Sequence, residues 1–307
     1  MSKQTPIFSF ANTSNTVFMP HFKQVQPIMK RRIFISYGLT VLTGLSGPLP
    51  AVAQSLTDRM ATPPLICAHR GWIDPSGTEN SLGQLHRTHQ AGPFMMEIDL
   101  AKDKTGRIVL LHDQDVDRTT TGHGPITELS QEAVQKLHLK NTSGTTLEHI
   151  PAYSDVLDWA GSTPDALLML DIKDVFPAEA LKPVRLHKLS NRVVVLTFHE
   201  KQAREAFAAD PEALVSVLIA KPEDIATYRK IAGARRFAAY VPQNSDPALF
   251  KAAHEAGVVV ITDLLGPTAI VDAVSPEEGA NRARTLPIDI LVTNTPLKLQ
   301  AALKKRL

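Results

Sequence analysis

Cysteine is almost absent. Cys67 is the single one in 307 residues, so no intrachain disulfide can hold the fold, and its place inside the apolar run 65–68 suits a small buried hydrophobe. Aromatic side chains make up only 6% of the chain and the formal net charge is only +2. With no Lys/Arg stripe interleaved by aromatics, that balance gives no support to a nucleic-acid partner. A Gly-rich phosphate loop is also missing after the first apolar run, where His69-Arg70-Gly71-Trp72 stands instead, which argues against a doubly wound dinucleotide-binding sheet. Nor is there a run long enough to span a bilayer. The best, 33–49, is broken by Gly38, Gly44, Gly47 and Pro48 and falls short of the ~20 residues a spanning helix needs, so no stable membrane insertion is expected.

That stretch reads instead as an address. Lys30, Arg31 and Arg32 precede it, and Ala51-Val52-Ala53 follows with the small residues a signal peptidase requires, predicting a cut after Ala53. Arg31-Arg32-Ile33-Phe34 resembles a twin-arginine export signal, with a general secretory signal as the alternative. The 28 residues before Met29 are polar and aperiodic, which makes Met29 a second candidate start. The expectation is an N-terminal extension and signal peptide over 1–53, and an exported domain over 60–307 that is periplasmic or secreted.

What is present is a repeated unit. A composition 43% hydrophobic and 21% charged suits one large or two small globular domains. From residue 65 the chain alternates short apolar runs with helix-like segments. The runs are 65–68, 94–96, 167–170, 193–196, 214–219, 237–241, 258–261 and 288–292. Segments 150–159, 178–189, 201–209, 224–231 and 246–256 carry apolar residues at three and four spacing. Eight such units predict an α/β (β/α)8 TIM barrel in a single domain, with the additional run 108–111 in the connection after the second strand.

Several runs stop on ionisable residues, as active sites of such barrels require. His69 and Arg70 follow the first run, Glu97 and Asp99 the second, and His112 and Asp113 follow 108–111. Two imidazoles can divide proton transfer, one accepting from a nucleophile and one donating to a leaving alkoxide; the alternative for each is a structural histidine. Glu97 and Asp99, one residue apart, share a strand face and repel each other unless a cation lies between them. All-oxygen donors favour Mg2+ or Ca2+ over zinc. Asp171 and Lys173 repeat the spacing and add a third carboxylate and an ammonium. A divalent cation with Arg70 and Lys173 suits a phosphate, whose growing charge they offset. Of the remaining histidines, His86, His89, His138, His187 and His254 fall in helix-like segments and read as surface groups, and His123 falls in a turn. His199, just past a run, is the one left to test.

His-Arg-Gly at 69–71, Thr-Glu-Asn-Ser at 78–81, Glu-Ile-Asp at 97–99 and the long string 109–130 together resemble the glycerophosphodiester phosphodiesterase family. The likeness continues through 149–157, 167–173, 193–199 and, more weakly, 289–296. It implies a metal-dependent TIM barrel that hydrolyses small-molecule glycerophosphodiesters to sn-glycerol 3-phosphate and an alcohol. By position, it implies His69 and His112 as the acid/base pair, Arg70 and Lys173 as phosphate contacts, and Glu97, Asp99 and Asp171 as ligands of one divalent cation, Ca2+ or Mg2+. Glu79 is implied near the site, with a helix N-terminal acid ahead of 81–91 as the alternative. The chain departs from the family pattern in three places. Asp171 stands for the usual glutamate, as in the related sphingomyelinase D toxins. Ile261-Thr262-Asp263-Leu264 stands for Trp-Thr-Val-Asn, and Thr293-Asn294-Thr295-Pro296 for Thr-Asp-x-Pro. The late changes bear on substrate choice, so a lysophospholipase D or sphingomyelinase D type activity on single-chain lipids is an alternative, as is an exported binding protein without turnover. Oligomeric state, the headgroup, and the choice between direct water attack and a cyclic phosphate stay open.

Overall fold

The computed structural model describes residues 54–305. The expected signal segment, its cut after Ala53 and the start at Met29 lie outside the described residues. In chain order the elements begin with α1 (Leu56–Arg59), β1 (Leu65–Ala68), α2 (Leu82–Ala91), β2 (Met95–Lys102) and β3 (Ile108–Leu110). An insertion follows with α3 (Gln131–Gln135), β4 (His138–Asn141) and β5 (Gly144–His149). The regular alternation then runs α4 (Tyr153–Ser162), β6 (Leu167–Asp171), α5 (Pro177–Leu186), β7 (Val193–Thr197), α6 (Glu200–Ala209), β8 (Leu214–Leu218) and α7 (Pro222–Ala232). It ends with β9 (Phe237–Tyr240), α8 (Pro247–Glu255), β10 (Val259–Asp263), α9 (Pro276–Thr285), β11 (Ile290–Thr293) and α10 (Pro296–Lys304).

Eight parallel strands, β1, β2 and β6 to β11, close on themselves because β1 pairs with both β11 and β2. This is the expected (β/α)8 TIM barrel. Strand periodicity builds it. Leu65, Cys67, Met95, Leu167, Met169, Val194, Leu196, Leu214, Ala238, Val259, Ile261, Ile290 and Val292 pack together inside the barrel, joined at its N-terminal end by Leu56 of α1 and by Met60 just after that helix. Intervening residues such as Ile66, Met96, Leu168, Val195 and Val260 pack outward against the helices. Burial on both faces makes the strands read as continuous apolar runs. Five helices, α5 and α7 to α10, open on a proline, which lacks only an N–H that would be unpaired there and presets the helical φ.

Three expectations need correction. The second strand runs to Lys102, so Glu97 and Asp99 lie inside a strand rather than past its end. The second half of β2 pairs antiparallel with β3, which holds the strand extended beyond the barrel rim. His138 is on β4, in a hairpin with β5, and not in a helix. Its ring lies 4.3 Å from that of His149. His187 caps the end of α5 rather than lying in the helix. The insertion has its own small core of Val109, Leu111, Val116, Ile126, Val134, Leu139 and Ile150.

Candidate active site

Alternation along each strand carries an inward apolar residue to an inward polar one at the C-terminal rim. Cys67 is followed two residues later by His69, Met95 by Glu97 and then Asp99, Met169 by Asp171, Val292 by Asn294. The β2–β6 register sets Asp99 directly beside Asp171. The site is the polar top layer of the barrel interior.

β1 ends in a single tight turn, His69–Gly71, with Arg70 at φ 51° and Gly71 at φ 69°. The positive φ favours glycine at 71, and a Cβ there would stand 2.5 Å from Leu85 Cδ2, so that buried methyl would have to move. The turn aims the Arg70 backbone N–H at Glu97 Oε2, 2.7 Å away. His69 is buried, with Nδ1 2.8 Å from Asn294 Oδ1. The Asn294 amide is oriented by its Nδ2, which donates to the Ala269 carbonyl at 3.3 Å, so Oδ1 faces the ring. A carbonyl oxygen only accepts, hence Nδ1 carries the hydrogen and Nε2, 3.9 Å from Glu97 Oε2, is bare. Burial, reinforced by the Arg70 charge, lowers the His69 pKa to about 4, and the ring is neutral at pH 7.

His112 follows β3 and is half-buried. Its Nδ1 lies 2.7 Å from Asp113 Oδ1, and its carbonyl accepts from Lys173 Nζ at 2.6 Å. Burial works against the Asp113 charge, but hydrogen bonds from Arg118 and His112 outweigh it and hold the carboxyl well below the usual range. Both imidazoles are thus pinned at Nδ1, one by an amide and one by a carboxylate.

The three carboxylates predicted to bind a cation do converge: Glu97, Asp99 and Asp171 each offer an oxygen, all within 4.8 Å of one another. Burial, then the charges of Asp99 and Asp171, push Glu97 well up. Burial and Asp99 raise Asp171 to about 6. Burial also opposes the charge on Asp99, but the Lys173 ammonium, 2.8 Å from Oδ1, outweighs it with help from the two histidines, and its carboxyl is held low. Asn80 clasps Asp99 from the other side, Nδ2 donating to Oδ2 at 2.7 Å and the Asp99 N–H returning to Asn80 Oδ1 at 3.0 Å. A hard divalent cation fits this set, since three anionic oxygen donors converge and two of the groups resist ionising without more positive charge.

Arg70, expected on phosphate, is almost fully buried beside the carboxylates. Its Nη1 donates to both oxygens of Glu79 at 3.1 Å, and its Nε, 3.9 Å from Asp99 Oδ2, has no hydrogen-bond partner. Glu79 lies between Arg70 and Arg118, while the cap of α2 is Ser81, whose hydroxyl accepts from Gln84 N. His199 is an exposed residue ahead of α6, and His123 is exposed and paired with Asp117 at 2.9 Å. Sequence reasoning missed Arg118 and the tie from Asn294 to His69. The first lay inside the string 109–130 without a distinguishing pattern, and the second inside a segment marked only as a departure. A cavity of about 480 Å3 opens beside His112, Asp113 and Lys173, walled by Leu111, Ile126 and Val175. A larger one, about 650 Å3, lies at the opposite end between the start of β1 and α10 and touches none of the site residues.

Residues 69–297 match the profile of the Glycerophosphoryl diester phosphodiesterase family. Among curated proteins, a glycerophosphodiester phosphodiesterase of Caldanaerobacter subterraneus subsp. tengcongensis is 27% identical over 162 residues, 50% of this chain and 66% of that protein. Glycerophosphodiester phosphodiesterase 1 of Rattus norvegicus is 38% identical over 71 residues, 23% of this chain and 21% of that protein. The matched stretches thus span less than two thirds of these relatives' own lengths. Among solved structures, a glycerophosphoryl diester phosphodiesterase from Parabacteroides distasonis is similar with a TM-score of 0.71 and 24% identity, over 82% of this chain and 92% of that one. A phosphodiesterase from Oleispira antarctica, solved with the product sn-glycerol-3-phosphate, is similar with a TM-score of 0.63 and 19% identity, over 79% and 97%. At these identities the structural likeness carries the fold.

Proposed function

Because this chain belongs to the glycerophosphoryl diester phosphodiesterase family, we propose that it hydrolyses glycerophosphodiesters to sn-glycerol 3-phosphate and an alcohol. The observation that carries the reading is the pair of imidazoles, each pinned at Nδ1, at the rim where Glu97, Asp99 and Asp171 converge. His69, neutral with a bare Nε2, takes the proton of the attacking nucleophile, either water directly or a substrate hydroxyl whose cyclic phosphate water then opens. His112, held at Nδ1 by the Asp113 carboxylate, gives a proton to the departing oxygen. Lys173 and the partnerless Nε of Arg70 offset charge on the phosphate. A divalent cation, Ca2+ or Mg2+, held by the three carboxylates would supply further positive charge to a phosphate oxygen. The test of the cation is calorimetric titration of either metal into the chain starting at Gln54. Binding that Glu97→Gln abolishes supports the assignment, and undiminished binding in that variant refutes it.

A second reading of the substrate has its own support. Phe176, Phe198, Ile270, Val271 and Leu297 are exposed on the segments that follow β6, β7, β10 and β11, at the same end of the barrel as the site. Such a rim suits a phosphodiester with an acyl chain, the lysophospholipase D type of substrate. Comparing turnover of glycerophosphocholine and lysophosphatidylcholine, with Phe198→Ser alongside, separates the two. A loss confined to the lipid favours the second reading. Export is also part of the proposal: 1–53 fused to a reporter should direct it out of the cytoplasm, and a Lys-Lys replacement of Arg31 and Arg32 should block only a twin-arginine route.

A further inference from the structure

Arg118 stands between two carboxylates, Asp113 and Glu79. Its Nε donates to Asp113 Oδ2 at 2.6 Å and its Nη2 to Asp113 Oδ1 at 3.0 Å. On the other edge, Nη1 donates to Glu79 Oε2 at 2.7 Å and Nη2 to Glu79 Oε1 at 2.8 Å. Both acids are held as forks, the geometry a planar guanidinium provides and an ammonium does not. Asp113 in turn holds His112 Nδ1, and Glu79 holds Arg70. A line of hydrogen-bonded side chains therefore runs His112, Asp113, Arg118, Glu79, Arg70, and ends 3.9 Å from the Asp99 carboxylate.

The backbone around Arg118 is fixed from both sides. Val116 is buried in the core of the insertion, and its carbonyl accepts from the Thr120 N–H at 3.0 Å and the Thr120 hydroxyl at 2.7 Å. The Thr119 carbonyl accepts from the Lys140 N–H of β4 at 2.7 Å, and Thr121 N–H donates to the His138 carbonyl at 2.9 Å. The β4–β5 hairpin, which holds none of the site residues, thus braces the turn that presents one guanidinium.

We infer that Arg118 is a positioning residue that sets the His112 ring through Asp113 and holds Arg70 through Glu79, so that the two sides of the site are aligned by one side chain. The inference deepens the phosphodiesterase reading and rests on it for its kinetic consequences. Removing Arg118 frees Asp113 to swing, leaves Glu79 with one guanidinium instead of two, and lets both His112 and Arg70 drift. The effect belongs to alignment in the transition state, so kcat should fall and KM should change little.

The test uses Arg118→Ala, Arg118→Lys and Asp113→Asn, and the double variant of the first and third, in the chain starting at Gln54 with metal present. For Arg118→Ala, kcat falls by about 10–100-fold, the range for supporting partners. Lys, unable to fork to both acids, recovers little, and added guanidinium ion restores part of the loss. The double variant loses less than the product of the two single losses, because both changes share the His112 imidazole while the Glu79–Arg70 side answers to Arg118 alone. A readout independent of turnover is the low-field proton of His112 Nδ1 in NMR spectra, present in the unaltered chain, broadened away in Arg118→Ala and recovered with guanidinium. If Arg118→Ala fails to fold, Arg118→Gln carries the same measurements. A sharp His112 Nδ1 signal in a folded Arg118 variant, or additive losses in the double variant, would overturn the inference. Absence of hydrolysis by the unaltered chain counts against the phosphodiesterase reading, and the NMR signal then decides the role of Arg118 by itself.

Discussion

At the scale of single residues, the difference between the two histidines lies in what each Nδ1 meets. Asn294 gives His69 a neutral acceptor, whereas Asp113 gives His112 an anionic one. If His69 works as the base, turnover is lost as pH falls through its pKa, placed at about 4. Asn294→Asp puts a carboxylate against Nδ1, favours the imidazolium and raises that pKa, so the acid limb of kcat/KM moves to higher pH. A pH–rate profile checks this, and a limb that stays in place or moves down removes His69 from the role of base. The Asn294 tie could not be read from the sequence, because the two residues are 225 positions apart and meet only when β11 closes against β1.

At the scale of elements, the barrel strands were legible and the insertion was not. A strand buried on both faces must be apolar along its length, so 65–68, 167–170 and 193–196 announced themselves. The β4–β5 hairpin contains His138, Lys140, Asn141, Thr145 and Glu148, with Leu139 as its one fully buried side chain, and offers no such run. α9 is equally quiet, burying only Gly279 and Ala280. The carboxylate cluster was legible since it follows from strand alternation, whereas Arg118 depends on the insertion's fold. Leu139→Ala opens a cavity in the insertion core and should weaken amide-exchange protection over 108–152 by about 2–5 kcal/mol, while the amides of β7 to β9 keep theirs. Equal loss in both regions would show that the insertion and the barrel open as one unit.

At the scale of the whole molecule, the Asp113 carboxyl, held below its ordinary range against burial by Arg118 and His112, ties stability to acid conditions. A depressed carboxylate contributes stability that is present above its unfolded value of about 3.9 and is lost as pH falls through the folded one. Asp113→Asn should therefore cost stability at neutral pH, and the gap between it and the unaltered chain should narrow below about pH 4. Denaturant melts across pH decide it; a gap that widens on acidification contradicts the assignment. The eight-stranded frame has a larger task, which is to bring residues from β1, β2, the β3 loop, β6 and β11 to one rim. Whether that rim is a hydrolytic centre is most directly tested by release of sn-glycerol 3-phosphate from glycerophosphocholine, with Ca2+, Mg2+ or EDTA, by the chain starting at Gln54 and by His112→Ala. Release that needs metal and falls by about 10²–10⁴-fold in the variant is the predicted result. No release with either metal, from a chain that still binds one, would contradict the account and leave lysolipid turnover, then binding without turnover, as the readings to pursue.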